Sequence, residues 1–244
     1  MHLVQDFQNL FSITSLISLL TLALLEIVLG IDNIIFISIV AGKLPRAQQR
    51  KARAIGLSLA LIMRIALLFS IAWIVGLKDP ILNVFGFDAT GRDLILFAGG
   101  IFLLVKTTSE IHEKIEGAGE EGMTIKKVTL NAIIAQIVFI DIIFSFDSIL
   151  TAVGLVDNVL IMILAVILAM IIMLIFSEKV SDFINEHPTV KMLALSFLLM
   201  IGMLLILDAC HIDVPKAYVY FSMAFSLLVE FLNMRLRKKK IEKT

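Results

Sequence analysis

The 244-residue sequence has few of the residues that soluble proteins present to water. Only 17% of its residues are charged, against about 25% in an ordinary soluble domain. In contrast, 59% are hydrophobic and the mean hydropathy is +1.01. One compact core cannot hide this apolar excess, so much of it must face lipid. The composition therefore excludes a soluble enzyme and a disordered chain.

Cysteine, histidine and net charge are also scarce. The single cysteine, Cys210, excludes an intrachain disulfide framework and a cysteine-based zinc site. The 21 basic and 21 acidic residues balance, so no overall charge attracts nucleic acid, and we expect no nucleic-acid partner. None of the four histidines lies in a long apolar segment, so no Ser–His couple is placed in the membrane. We predict that the protein is not an enzyme.

Long apolar runs make up most of the chain. A hydrocarbon core of about 30 Å needs roughly 20 helical residues. The pattern predicts an all-α polytopic membrane protein that forms a single domain over residues 1–244. We expect seven transmembrane helices, at about 14–41, 54–77, 93–107, 128–156, 159–177, 192–208 and 217–234.

Lysine and arginine lie mainly on one side of this arrangement. Seventeen of the 21 fall in the segments after helices one, three, five and seven, and three fall on the opposite side. The last one, Arg64, lies inside helix two. Because basic residues concentrate on the cytoplasmic side, we expect the N-terminus outside and the C-terminus in the cytoplasm.

Two apolar helices carry the same pair of acids. Helix one contains Glu26 and Asp32, and helix four contains Asp141 and Asp147, in each case six residues apart. This similarity indicates an internal repeat, with repeat one at about 14–107, repeat two at about 128–208 and a seventh helix at 217–234. Since each repeat has three helices, the two would be inverted in the membrane, as in many secondary transporters.

The spacing of the acids constrains their geometry. Six residues of a regular helix leave two side chains roughly 120° apart and about 9 Å along the axis. Unwinding at Gly30 and Ser145 would bring the acids of each pair into one cavity. Neutral oxygens nearby would add ligands, and they belong to Asn33, Ser148 and Gln136.

Charge balance predicts a cationic ligand for the four acids. Four ionised carboxylates with Arg64 leave three net negative charges, which a low-dielectric interior does not tolerate. A divalent cation and one proton would neutralise them. Oxygen donors suit Mg²⁺, Ca²⁺ or Mn²⁺, and exchange of the cation against protons is the expected mechanism. Arg64 would then be a counter-ion that supports the empty site.

The two acidic motifs, Glu26-Ile-Val-Leu-Gly-Ile-Asp-Asn33 and Asp141-Ile-Ile-Phe-Ser-Phe-Asp-Ser148, resemble the signatures of the TerC family of bacterial integral membrane proteins. Three further segments are similar to that family. They are Ile62-Met-Arg64-Ile, Lys106 with Glu110-Ile-His112-Glu113, and His211-Ile-Asp-Val-Pro215-Lys216-Ala-Tyr218 through Glu230.

The resemblance implies a seven-helix protein of the bacterial inner membrane and, for several members, export of manganese. Other members are linked by name to tellurium resistance. Carried over by motif, the metal-site acids would be Glu26, Asp32, Asp141 and Asp147, with Asn33 and Ser148 as their neighbours. The expected cargo is Mn²⁺ with protons as counter-ions, and no bound cofactor is expected.

Other readings stay open at this stage. The four acids would also fit a non-transporting stress-response or assembly protein in which they tie helices together. Lys106, a supporting residue, would extend from a helix end towards the cytoplasm. The eleven methionines are interpreted as packing residues. The sequence leaves open whether the protein forms a homo-oligomer and whether its cation is Mn²⁺, Ca²⁺ or Mg²⁺.

Overall fold

The computed structural model describes residues 12–70, 80–84, 87–116, 128–156 and 158–241, and within these ranges it contains seven α-helices and one β-hairpin. In chain order these are α1 (Ile13–Ala41), α2 (Arg46–Phe69), β1 (Pro80–Val84), β2 (Phe87–Thr90), α3 (Gly91–Ile115), α4 (Leu130–Leu155), α5 (Val159–Glu186), α6 (Pro188–Ala209) and α7 (Lys216–Ile241).

Six of the described helices are long and apolar enough to cross a membrane: α1, α2, α3, α5, α6 and the Ala217–Arg237 part of α7. The apolar segment of α4, Leu130–Phe146, is shorter than these. Side-chain caps define two of the starts. Ser12 accepts a hydrogen bond from the Ser15 amide at 3.1 Å, and Thr129 accepts one from the Ala132 amide at 3.3 Å.

Several helices extend beyond the predicted bounds. Helix two begins at Arg46 rather than 54, and helix three continues to Ile115 rather than 107. The predicted end of helix two, at 71–77, lies outside the described residues. Hydropathy reports the stretch that lipid can cover, whereas a helix can continue into water through charged turns. The extensions at α2 and α3 are of this kind, because Arg50, Arg53 and Lys114 lie in them.

A short antiparallel hairpin precedes α3, and the sequence analysis did not predict it. Its register pairs Val84 with Phe87 and Asn83 with Asp88, and the Asn83 amide donates to the Asp88 carboxylate at 2.5 Å. The described strands have only five and four residues. Such short strands give little periodic signal, which explains why hydropathy did not reveal them.

The chain divides into two compact units. Unit 1 contains α1, α2, the hairpin, α4 and α5 as far as Phe183. Unit 2 contains α3 from Asp93, the end of α5, α6 and α7. Each unit therefore combines helices from both halves of the sequence.

Within unit 1, α2 and α4 pack in parallel. The Gly56 position on α2 meets Ile137 on α4, and eight residues later Arg64 meets Ser145. A Cβ atom built on Gly56 would lie 2.8 Å from Ile137 Cγ2, so the glycine permits the close approach of the two helices. This packing aligns Arg64 with the middle of α4.

Unit 2 has a close contact between α3 and α6. The carbonyl oxygen of Gly202 lies 2.7 Å from where a Cβ on Gly100 would be, and the Ile206 amide lies 3.1 Å from it. At the other side of α6, Phe197 packs with Val219 and Met223 of α7. Gly100 is thus the point at which the backbones of α3 and α6 come close together.

We expect Gly100→Ala to lower the free energy of unfolding by about 1–3 kcal/mol, because the new methyl group would press on backbone atoms that cannot rotate away. Thermal unfolding of the purified protein in detergent measures the change. Gly154→Ala is the matched control, since nothing lies within 4 Å of its Cβ position. Equal stability of the two variants would show that α3 and α6 are not in close contact here.

Candidate functional site

Each acidic motif presents one continuous helical face to the interior of unit 1. On a helix, residues at i, i+4 and i+7 share a face. In α1 this spacing joins Glu26, Gly30 and Asn33, all of which are buried. In α4 the same spacing joins Asp141, Ser145 and Ser148, which are also buried. The two faces meet around a cation from α2.

Arg64 is that cation, and it links the two helices. Its Nη1 donates to Glu26 Oε2 of α1, and its Nη2 donates to Asp141 Oδ1 of α4 at 3.3 Å. Its Nε donates to Ser145 Oγ at 2.8 Å. The planar guanidinium thus donates a hydrogen bond from each of its three nitrogen atoms to a different side chain. A lysine ammonium could not reproduce this geometry.

Asp141 is the most highly connected acid of the cluster. Besides Arg64, its carboxylate accepts a hydrogen bond from Ser145 Oγ at 3.0 Å and one from Asn33 Nδ2 at 3.2 Å. Asn33 thereby forms a second link between α1 and α4. Among the described residues, Arg64 is the recorded polar partner of Glu26. The two central acids therefore differ strongly in how they are held.

The cluster is almost inaccessible to water. Arg64 and Asp141 are each 2% exposed and Glu26 is 4% exposed. With all three ionised, the group carries one net negative charge in the middle of apolar helices. Desolvation makes such a buried ion pair a weak source of stability, but removal of one partner leaves an uncompensated charge and is costly. The arrangement favours a further cation nearby.

A buried polar atom and a small cavity lie next to this cluster. Asn33 is 3% exposed, and among the described residues its Oδ1 has no hydrogen-bond partner. A cavity of about 10 Å³ also adjoins Glu26, with Leu22, Leu68 and Ile149 in its lining. That volume accommodates about one water molecule. Since buried polar atoms are nearly always paired, Asn33 Oδ1 is open to a water or a cation.

The predicted unwinding at Gly30 and Ser145 is wrong. Both α1 and α4 run as uninterrupted helices through these positions. Ser145 instead joins Arg64 to Asp141 by hydrogen bonds. Gly30 makes room for α5, because a Cβ at this position would meet the thioether sulfur of Met173.

The second acid of each motif cannot be placed as a ligand. The side chains of Asp32 and Asp147 lie outside the described part of the chain. Their helical positions lie about 120° around the axis from those of Glu26 and Asp141, since both helices are regular. Within the described residues no group of three or more His, Cys, Asp or Glu side chains is arranged to hold a metal ion. The four-acid cage therefore stays a prediction.

The two remaining supporting residues lie elsewhere. Lys106 belongs to unit 2, where its Nζ lies 3.3 Å from Glu110 Oε1 one turn along α3. The expectation that Lys106 lies near a helix end is wrong, because α3 continues for two further turns. Gln136 lies on α4 about 140° around the helix from Asp141, and its buried Oε1 has no hydrogen-bond partner in the described region.

Sequence reasoning missed Arg53 and Met173. Arg53 is 4% exposed and donates to Ser181 Oγ at 3.1 Å. The signal for Arg53 was its spacing, because eleven residues bring it back to within about 20° of Arg64 on α2. No comparable signal marks Met173, since an apolar helix contains many similar side chains and only the packing selects one.

Six described helices of membrane-spanning length and apolar composition, together with a buried ionic cluster, are typical of a polytopic integral membrane protein. The comparison with known families then identifies its class. Residues 11–244 match the integral membrane protein TerC family, and the chain belongs to that family.

Two bacterial relatives are similar to this chain over most of their length. The UPF0053 inner membrane protein YgdQ of Escherichia coli is 52% identical over 219 residues, covering 90% of this chain and 92% of the relative. A UPF0053 protein of Haemophilus influenzae is 47% identical over 223 residues, covering 91% and 94%.

A longer relative, the UPF0053 inner membrane protein YoaE of Escherichia coli, is 48% identical over 221 residues, but these cover only 43% of its length. No solved structure gives a significant match. YgdQ and YoaE are named as inner membrane proteins, which agrees with the predicted location in a bacterial inner membrane.

Proposed function

We propose that this protein is a secondary transporter that exports a divalent metal cation, Mn²⁺, in exchange for protons. The observation that carries the proposal is the buried cluster of Glu26, Arg64 and Asp141, in which two carboxyl groups share one guanidinium. With both acids ionised, the cluster has one net negative charge. Ionisable residues within membrane segments are costly and generally functional. Membership of the TerC family supports ion transport as the broad class.

Arg64 would take the place of the cargo in the empty transporter. Its guanidinium spans two acids that come from equivalent positions of the two motifs. A divalent cation entering beside Asn33 Oδ1 would compete for the same carboxylates, and Arg64 would have to release at least one of them. Such competition gives the empty site a resting arrangement in which both buried acids contact a cation.

The inverted repeat has support in paired contacts. Asp141 and Ser145 each lie 115 residues after their counterparts Glu26 and Gly30. In unit 1, Ser145 of α4 meets Arg64 of α2, and Gly30 of α1 meets Met173 of α5. In this correspondence Met173 is the counterpart of Arg64 in the second repeat, and it lies 109 residues after Arg64 in the sequence.

A second pair of neighbouring positions follows the same two offsets. Gly56 of α2 packs on Ile137 of α4. Their counterparts, 109 residues after Gly56 and 115 residues before Ile137, are Ala165 and Leu22, and both line the small cavity beside Glu26. The second pair thus agrees with the offsets that the first pair defines, as a pseudo-two-fold axis in the membrane plane would require.

Access to the site would alternate between the two faces. If the N-terminus is outside, the cavity lined by Leu22, Leu68 and Ile149 lies on the outer side of Glu26. These apolar side chains would close the outer path in the arrangement described, since a space of about one water cannot pass a hydrated ion. Rocking of one repeat against the other would open that path.

Met173 gives a reason to prefer Mn²⁺ among the three candidate cations. It is 1% exposed, and its sulfur lies at Gly30, on the helical face shared by Glu26 and Asn33. A thioether is a softer donor than oxygen, whereas Mg²⁺ and Ca²⁺ take oxygen ligands almost exclusively. A sulfur beside an oxygen-rich site therefore disfavours these two ions and leaves the transition metal.

We expect Met173→Leu to lower Mn²⁺ flux about tenfold relative to Ca²⁺ flux, a change of about 1.4 kcal/mol in the preference between the ions. Leucine keeps the volume of the side chain but removes the sulfur, so the fold should tolerate it. Competitive flux assays in vesicles measure the ratio. Met170→Leu, a buried methionine one turn earlier, is the control. Parallel loss of both fluxes would exclude a selectivity role.

The test of the function itself is metal flux in vesicles that contain the purified protein under an imposed pH gradient. Mn²⁺ should accumulate against its gradient when protons flow the other way, and collapse of the pH gradient should stop it. If Mn²⁺, Ca²⁺ and Mg²⁺ all move no faster than in protein-free vesicles, the transport proposal is wrong.

A non-transporting scaffold is the second candidate. The observation in its favour is the extensive bonding of Asp141, whose carboxylate meets Arg64, Ser145 and Asn33. A purely structural tie between α1, α2 and α4 would have this form. The two functions make opposite predictions for neutralisation of Asp32 and Asp147, the second acids of the two motifs.

A further inference from the structure

An open groove runs along unit 1 between the parallel helices α2 and α4, and it is separate from the ionic cluster. Its volume is about 680 Å³, within the range of sites that bind small molecules. Leu59, Phe139 and Ile142 line it at one end, and Lys51 and Asn131 lie at the other. The groove is therefore apolar along its length and polar only at one end.

The length of the groove matches one leaflet of a bilayer. From Lys51 to Leu59, α2 rises by about 12 Å, and from Asn131 to Ile142, α4 rises by about 16 Å. Half of a typical hydrocarbon core is about 15 Å. With its polar end at the membrane surface, the apolar part would reach the middle of the membrane beside Asp141.

The polar end carries a positive charge, on Lys51, for which the described residues provide no carboxylate partner. Three basic residues of this helix turn differ in their partners. Arg50 lies 3.9 Å from Glu178, and Arg53 donates to Ser181. Lys51 is exposed, and no ion pair or hydrogen bond to another described residue is recorded for it.

The surrounding sequence is also positively charged. Residues 43–53 contain five basic residues and no acidic one. Such a segment attracts anionic lipids of the cytoplasmic leaflet. An acyl chain fits the apolar length of the groove, and a phosphate fits its basic end.

We propose that this groove, defined by Lys51, Leu59, Asn131, Ala135, Phe139 and Ile142, binds one anionic phospholipid. An acyl chain lies between α2 and α4, and the headgroup phosphate pairs with Lys51 and accepts a hydrogen bond from Asn131. The bound lipid fills the gap between two helices that hold Arg64 and Asp141, and so supports the packing beside the ionic cluster. The proposal does not depend on transport.

The experiment is native mass spectrometry of the full-length protein with phosphatidylglycerol or phosphatidylcholine of equal chain length. We expect one phosphatidylglycerol per chain and weaker binding of phosphatidylcholine. Lys51→Gln should weaken phosphatidylglycerol binding about fivefold, as loss of one lysine at an anionic surface predicts. Ala135→Trp should block the groove and prevent binding of both lipids.

Two control variants make the result specific. Arg46→Gln removes a neighbouring exposed charge outside the groove, and Ala132→Trp adds the same bulk to an exposed position of α4 that does not line it. Both should bind lipid as the unaltered protein does. Equal binding of the two lipids, or unchanged binding in Lys51→Gln and Ala135→Trp, would overturn the proposal. Dimers that Ala135→Trp dissociates without affecting lipid binding would instead assign the groove to a second copy.

Discussion

Replacement of Arg64 with leucine is expected to lower the free energy of unfolding by about 3–5 kcal/mol, the cost of leaving buried acids without their cation. Glu26 and Asp141 are at most 4% exposed, so water cannot take over the role of the guanidinium. Ser145 would lose its donor as well. Equilibrium unfolding in detergent or in bicelles gives the measurement.

Two comparisons separate this effect from a loss of packing. Arg50→Leu removes an exposed arginine whose carboxylate partner is 3.9 Å away, and should change stability by less than about 1 kcal/mol. Adding Glu26→Gln and Asp141→Asn to Arg64→Leu removes the buried charges together and should restore part of the stability. No restoration would mean that Arg64 stabilises the fold by packing alone.

The position of the ionic cluster follows from elementary energetics. An acid in the middle of an apolar helix is costly, so Glu26 and Asp141 were candidates from the sequence. Arg64 was the one basic residue in the middle of a predicted helix, because Lys106 lies next to the predicted end of helix three. The structure brings these three side chains together. Their contact could be anticipated because a buried charge needs a partner and few were available.

The details of the contact could not be predicted in the same way. Regular helices keep Glu26 in line with Asn33 at a spacing of seven, whereas the sequence analysis gave weight to the spacing of six between acids. It therefore required a break at Gly30 that does not occur. A glycine in a helix has two uses, a bend or a close contact, and only the approach of Met173 decides between them.

The ends of the helices were hidden for a different reason. Residues such as Arg46 and Lys114 lie in helical turns that lipid need not cover, so hydropathy assigns them to loops. A helix is limited by its backbone hydrogen bonds and caps, and a transmembrane span by its apolar length. The two lengths coincide in α1, which begins and ends within one residue of the predicted span.

The largest effect on activity is expected from Asp32 and Asp147, the second acids of the two motifs. We expect Asp32→Asn and Asp147→Asn each to reduce Mn²⁺ flux to the level of protein-free vesicles while changing the free energy of unfolding by less than about 1 kcal/mol. Their positions lie about 120° around regular helices from the acids that Arg64 holds, so a structural tie to that cation does not need them. In the proposed transporter, by contrast, binding of the divalent cargo would need their negative charge.

Flux and stability must be measured on the same preparations, because the combination decides between transporter and scaffold. Asp88→Asn is the control, since this exposed acid pairs with Asn83 in the hairpin and should leave both quantities unchanged. If the protein is a scaffold, neutralisation of Asp32 or Asp147 should either lower its stability or change neither quantity. Only a transported cation explains a loss of flux at unchanged stability. If the two carboxylates served to hold helices together, their neutralisation would have to lower the free energy of unfolding.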